Sequence, residues 1–480
     1  MHQRQGLMEY SVILPLDGEG GSSVALAKEG SEGVKPGADR FAGNFRYLAA
    51  TPSTTPSARS PFPIKGKDGV RRHNQVANRE NRMKYFLTAA TAALALTATA
   101  TAQDYFPPRG DADWERREAV EMGLDPVALQ AAVDFAIANE TAPPDGWTGV
   151  DVRDLSVMVP LTWAFEPFSS PVGELRPRGG PAGIILRDGY IVAEWGDLER
   201  VDMTFSISKS FLSHTVGLAV DDGLIASVDE PVSGSVEDSR FHTDHNAPIT
   251  WDQMLRQTSG WWGTLFDKPA WADRPARDNP ARDLVAGPPE PGSAWEYNDV
   301  RVNALALAAL HVWQRPLPDV LAERIMDPIG SSGTWEWHGY ENSHVEIGGE
   351  TMWSVSGGGH WGGGMMISAY DQARFGLLGL HRGNWDGEQL LSESWYERSL
   401  TPTDVMPSYG YMNFFLNTPG DERAAIAVEE APAGSFAYLG AGANMIFIDP
   451  EHDIVAVVRW IDAGQRGAFI RHLMAAVEAE

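Results

Sequence analysis

"TFSISKSF", residues 204–211, holds three serines and one lysine. Only Ser206 stands three places before Lys209. Positions three apart lie on one face of a helix, so the hydroxyl and the amine can meet there. S-x-x-K is a short pattern that chance also produces, so its surroundings decide its weight. After residue 102 the chain carries two lysines, Lys209 and Lys268, against 23 arginines. Arginine keeps its proton, whereas lysine can give its proton up when its environment disfavours the charge. A lysine kept at 209, one helical turn from a serine, suits proton-transfer chemistry.

The 480 residues are not of one kind. Residues 83–102, "MKYFLTAATAALALTATATA", read as a secretory signal peptide: Lys84 is a positive start, Tyr85 to Leu96 are too short to span a bilayer, and Ala100 and Ala102 are placed for cleavage before Gln103. The leader begins at Met83, so residues 1–82, rich in Gly, Ser and Pro, read as a disordered or mis-called start. From 83 onward, 26 Lys and Arg face 57 Asp and Glu. So acidic a body repels nucleic acid and anionic membrane surfaces. Cysteine is absent, which excludes disulfides, thiolate chemistry and a lipid anchor at the cleavage site. A mature chain of about 380 residues is long enough to rely on its core alone. The expected location is periplasmic or secreted, with no membrane anchor.

Residues 125–140 read as a helix capped by Asp125, with Pro126 at its first position. "AGIILRDGYIVAEWG" reads as a hairpin turning at Asp188-Gly189. The Ser206 helix follows and ends at Gly223. Further helices are expected near 300–313 and 368–381, and "GQRGAFIRHLMAAVEAE" closes the chain as a helix. Before it, "ANMIFID" and "DIVAVVRWI" flank the turn "PEHD". Strands at both ends with helices between predict an α/β (α+β) fold: an antiparallel sheet built from both chain ends, flanked by helices, carrying an inserted, mostly helical domain. The expected division is 103–205 and 431–480 for the sheet domain and 206–430 for the insertion.

Three stretches stand in order: Ser206-Ile-Ser-Lys209, "PGSAWEYNDVRVNALALAAL" from Pro291, and "AYLGAGANMIFIDPEHDIVAVVRW" from Ala437. With "QTSGW" (257–261) and "GGGMMISAYDQARFG" (362–376), this set resembles the serine β-lactamase and penicillin-binding-protein superfamily over about residues 120–478. It is most similar to class C β-lactamases and to the carboxylesterases on that fold.

The resemblance implies that Ser206 is the nucleophile, that Lys209 is a base or proton shuttle, and that Tyr297, matching the Y-x-N tyrosine, relays the nucleophile's proton. It implies an oxyanion hole from the amides of Ser206 and Ala441. It also implies that Tyr438, Leu439 and Gly440 stand where the family carries K-T-G or H-T-G at the substrate pocket. The chemistry is sound on its own terms. A serine hydroxyl is a weak nucleophile until a neighbour takes its proton, and a buried amine beside a phenol perturbs both groups usefully.

Two positions depart from the pattern. Asp299 replaces the usual Asn; its carboxylate either faces Lys209, favouring the charged amine, or turns away to cap the following helix. Tyr438 replaces the K-T-G lysine that helps hold substrate carboxylates, which moves the expected substrate from β-lactams and D-amino-acid peptides towards esters or small amides. The expected activity is acyl-enzyme hydrolysis of a carboxylic ester without metal or cofactor, and the expected partner is a small-molecule ester or amide substrate. The alternatives are a β-lactamase, D-aminopeptidase or oligomeric-amide hydrolase, or a catalytically silent binding protein on the same fold.

Other motifs are weaker. Gly357-x-Gly359-x-x-Gly362 lacks the strand that a dinucleotide site needs and reads as a loop, with His360 and Trp361 candidates for the pocket lining. His242 and His245 form H-x-x-H without a zinc protease's glutamate and read as a polar loop. Trp261, Trp262 and Trp353 could wall an acyl site, but core packing is the default for tryptophan.

Overall fold

The structure is a computed structural model and describes residues 104–141, 178–273, 285–357, 364–418, 421 and 424–477. All belong to the compact unit Ala100–Glu480. The expected leader (83–102) and the segment before it lie outside the described residues, as do His360 and Trp361.

The first helix, α1 (Pro126–Ala138), starts where the sequence predicts: the Asp125 carboxylate accepts from the amides of Val127 and Ala128. The hairpin β1 (Ala182–Arg187) and β2 (Tyr190–Trp195) turns through Asp188 and Gly189, both at positive φ (52° and 83°), as a two-residue turn matching strand twist requires. Strand β3 (Asp202–Met203) leads into a 3-10 turn, Phe205–Ile207, and then α2 (Ser208–Asp221). Next come α3 (Trp251–Leu255), a small hairpin of β4 (Thr264–Leu265) and β5 (Lys268–Pro269), α4 (Asp299–Trp313) and α5 (Leu317–Leu321). Strands β6 (Glu336–Ile347), β7 (Glu350–Val355) and β8 (Gly364–Ile367) precede α6 (Ala369–Leu380). A second small hairpin, β9 (Asn384–Trp385) with β10 (Glu388–Gln389), then α7 (Glu393–Ser399), leads to β11 (Phe414–Phe415), β12 (Phe436–Leu439), β13 (Met445–Asp449), β14 (Ile454–Arg459) and α8 (Arg466–Val477).

Among the described residues the main sheet has the order β11-β12-β13-β14-β1-β2, antiparallel throughout, so strands from both chain ends do share one sheet. Its register sorts the two faces. Ile184, Val457, Ile446 and Tyr438 stand side by side across four strands, and the buried helix α6 packs on this face. A Cβ on Gly376 of α6 would lie 2.6 Å from Val455 and 2.8 Å from Ile446, so the helix approaches closely because that residue has no side chain. Gly183, Val458 and Met445 line the opposite face, where Trp195 meets Phe469 of α8.

The stretch 206–430 is less helical than the sequence suggests. Strands β6, β7 and β8 join β3 in a second sheet, β3-β8-β6-β7. In addition, α6 and β11, both inside that stretch, belong to the main sheet and its cover. The second sheet hides from a periodicity reading because β6 alternates poorly. It is charged and half-exposed, and its pairing with β7 shifts register between Gly339 and His344.

Candidate active site

Ser206 sits where the two sheets meet. Met203 pairs with Met366 of β8, and the Thr204 amide donates to the Met365 carbonyl (2.9 Å). From the main sheet, Gly440 at the end of β12 presses on the same turn: a Cβ there would lie 2.2 Å from the Thr204 carbonyl and 3.4 Å from the Ser206 amide nitrogen. Only glycine permits that approach, and it brings the next residue, Ala441, beside the serine's turn. Phe205 is held at φ 52°, a left-handed conformation costing a non-glycine residue about 1–3 kcal/mol. Its buried ring, packed edge-on to Trp460 and clustered with Met203 and Met366, holds it there.

Lys209, the second residue of α2, is buried, while Ser206 and Tyr297 are half-buried. Its Nζ donates to Ser206 Oγ (2.8 Å) and to the Gly357 carbonyl (2.7 Å), and lies 2.6 Å from Asp299 Oδ1. Two hydrogen bonds and an ion pair thus surround the nitrogen. The same cage fits a free amine when the serine is the donor. Nζ also stands 4.9 Å from the centroid of the Tyr297 ring, a cation–π distance. Ser206 and Tyr297, from the S-x-x-K and Y-x-N patterns, therefore both meet the amine of Lys209.

The Asp299 alternatives resolve cleanly. The carboxylate faces Lys209, and capping of α4 falls to Asn298, whose Oδ1 accepts from the Arg301 amide (3.1 Å). One turn further along α4, Asn303 Oδ1 accepts from the Gly357 amide (2.9 Å) and so fixes the carbonyl that Lys209 uses. Asp299 and Asn303 are four apart on one helix face, a pairing the sequence reading passed over although the spacing carries it.

Tyr297 is fixed through its neighbours. The Glu296 amide donates to the Gln257 carbonyl (3.0 Å) and the Asn298 amide to Gln257 Oε1 (2.8 Å), so one buried residue holds the backbone on both sides. Gln257 Nε2 also donates to the hydroxyl of Tyr409 (2.7 Å), whose ring meets Tyr297 edge-on at 6.4 Å. Burial pushes the Tyr409 hydroxyl well above its ordinary range. Arg466, the first residue of α8, also faces this region: burial lowers its proton affinity, while Tyr297 and Asp462 raise it.

Tyr438 is not where the K-T-G comparison puts a substrate contact. By strand parity it shares the α6 face with Phe436, and its ring packs against Phe375 (5.5 Å) and edge-on against His214 (6.1 Å). It is a core residue whose hydroxyl burial pushes far up. Leu439, on the other face, is also buried. Gly440 is the member of the triplet that touches the site. The remaining motifs are structural: His242 and His245 donate to the carbonyls of Val236 (2.7 Å) and Gly260 (2.9 Å), Trp261 is buried in the core, and Trp353 packs against the tilted ring of His344 in the second sheet. Among the described residues no group of three His, Cys, Asp or Glu is placed to hold a metal ion, and no helix is long and apolar enough to cross a membrane.

Solved structures similar to this chain include a penicillin-binding protein homologue from Caulobacter crescentus, 17% identical, covering 74% of this chain and 98% of that one with a TM-score of 0.45. Others are a β-lactamase from Mycobacterium bovis (17% identical, 62% and 92%, TM-score 0.43) and a family VIII carboxylesterase (17% identical, 62% and 92%, TM-score 0.44). No curated protein matches the chain. The family model described as Beta-lactamase matches residues 191–476, more than half of the sequence and all of the residues gathered around Ser206. The chain belongs to the β-lactamase family.

Proposed function

We propose that this protein is an exported serine hydrolase that cleaves carboxylic esters through an acyl-enzyme on Ser206. The observation that carries the reading is the contact between Lys209 Nζ and Ser206 Oγ at 2.8 Å, inside a cage set by Asp299 and Gly357. The Ser206 oxygen attacks the ester carbonyl while its proton passes to the Lys209–Tyr297 pair. Negative charge develops on the former carbonyl oxygen, and the amides of Ser206 and Ala441 stabilise it. The close approach of Gly440 to the serine's turn supports that pairing of amides. The pair returns the proton to the departing alcohol. Water, deprotonated by the same pair, then attacks the acyl-enzyme and releases the acid.

The preference for esters over β-lactams or D-amino-acid peptides rests on the strand triplet. Tyr438 supplies no cation and turns into the core, so nothing in that triplet recognises a carboxylate. The Lys209–Asp299 ion pair gives the opposing reading, a silent binding protein, its one specific support, because a carboxylate so close favours an ammonium, which has no lone pair to take the serine's proton.

A panel of short-chain nitrophenyl esters, amides and a chromogenic cephalosporin, run on wild type beside Ser206→Ala, separates the readings. Ester turnover that exceeds cephalosporin turnover and falls at least about 10³-fold in the variant supports the proposal. Faster cephalosporin turnover favours a β-lactamase, and rates indifferent to the substitution favour the binding protein.

A further inference from the structure

We propose that Lys268 and Asp273 are a positioning pair for this centre, holding the residue that holds Lys209. The inference rests on the reading of Ser206 as nucleophile.

The two lysines retained after residue 102 have the same kind of environment. Lys268, at 1% exposure on β5, places Nζ 2.9 Å from Oδ1 of Asp273, itself 2% exposed. The other oxygen of that carboxylate, Oδ2, accepts the backbone amide of Asp299 at 2.8 Å. Asp299 opens α4, so its amide is one of those a helix start leaves without an intrahelical partner, and the helix dipole favours a carboxylate there. The amide of Asp299 and its carboxylate are attached to one Cα. The bond from Asp273 therefore fixes the atom from which Asp299 reaches Lys209. A second bond ties the same segment to the neighbouring residue: Asn298 Nδ2 donates to the Ala270 carbonyl at 2.8 Å.

Charge ties Lys268 to this arrangement. Asp273 and Asp299 bring two buried carboxylates to one helix end, and each has its own lysine. Loss of Lys268 would take a cation off the buried Asp273 carboxylate, which Asp299 repels. That carboxylate would withdraw from the amide and let the start of α4 shift. A distance of 2.6 Å between Asp299 and Lys209 leaves little room for such a shift.

The test measures kcat, KM and melting temperature for ester turnover, together with the rate of fluorophosphonate labelling at Ser206, in Lys268→Met, Lys268→Arg and the double variant Lys268→Met with Asp273→Asn. Lys268→Met is expected to lower kcat and the labelling rate about tenfold, the scale of coupling through one hydrogen-bonded network, with KM within about twofold. Lys268→Arg, which keeps the charge, and the double variant, which removes both charges, are expected to recover most of that loss. A pair that only anchors the hairpin would lower the melting temperature of Lys268→Met while labelling and kcat of the folded protein stayed at wild-type values, and that result overturns the proposal. Should Lys268→Met not fold, Asp273→Asn alone is read in the same assay with the same expectation. Failure of wild type to label at Ser206 overturns the functional reading instead.

Discussion

The Asp299 carboxylate lies 2.6 Å from the Lys209 ammonium nitrogen, with both side chains sealed from solvent. The pair spans from α2 to the first residue of α4, so it is a tertiary bond as well as part of the candidate site. Removing one partner of a buried pair leaves the other charge uncompensated, which costs about 3–5 kcal/mol. Asp299→Ala is therefore expected to lose about that much stability in urea unfolding, and Asp299→Asn, which keeps an oxygen for Lys209, distinctly less.

Gly440 gives a test that leaves every polar group in place. A Cβ at this position would meet the Thr204 carbonyl at 2.2 Å, and backbone cannot yield as a flexible side chain would. Overpacking of this kind costs about 1–3 kcal/mol. Gly440→Ala is expected to drive the end of β12 away from the Ser206 turn. Ester kcat should then fall by at least about tenfold, more than the stability loss alone explains, because the Ala441 amide moves with it.

His214 sets a pH limit on stability. Its Nδ1 donates to the Ser210 carbonyl (2.8 Å), so Nε2 accepts the Tyr396 hydroxyl (2.7 Å), an arrangement for the neutral ring. Burial holds the imidazole down at about 4. The unfolded chain, with an ordinary histidine near 6.5, binds the proton first as pH falls. Stability should be full above pH ~6.5 and decline towards pH ~4 by up to about 3 kcal/mol from this residue. His214→Gln should flatten that part of the stability profile, measured by urea unfolding between those limits. An unchanged slope would mean that the imidazole is not buried neutral.

Gln257 links three parts of the site through one side chain and its carbonyl. Gln257→Ala removes the acceptor for the Asn298 amide and the donor to Tyr409, leaving buried polar groups that cost about 1–3 kcal/mol each. The expected outcome is a lower melting temperature together with a fall in kcat, since the backbone beside Tyr297 loses one of its two ties.

The parts legible in the sequence were those carried by local chemistry. Asp125-Pro126 announces α1, Asp188-Gly189 announces the β1–β2 hairpin, and the run of strands after Ala437 announces the main sheet's centre. Ser206 and Lys209 were legible because three residues on a helix make a turn, and the scarcity of lysine pointed to the second member. What was missed depends on distance along the chain or on strand parity. Asp273 reaches Asp299 through a backbone amide 26 positions away, and backbone acceptors leave no residue pattern. Likeness to the K-T-G motif puts Tyr438 at the pocket, whereas the pleat turns it towards α6. The second sheet escaped because β3 has two residues and β6 is bulged and charged, so neither shows a clean period of two.

The central claim is that Ser206 is the group that bonds to substrate. Incubating the folded protein with a fluorophosphonate and mapping the adduct by peptide mass spectrometry tests this directly. The account predicts one adduct, on the peptide carrying Ser206, and none in Ser206→Ala; labelling at another residue, or an unlabelled protein that still hydrolyses esters, would contradict it.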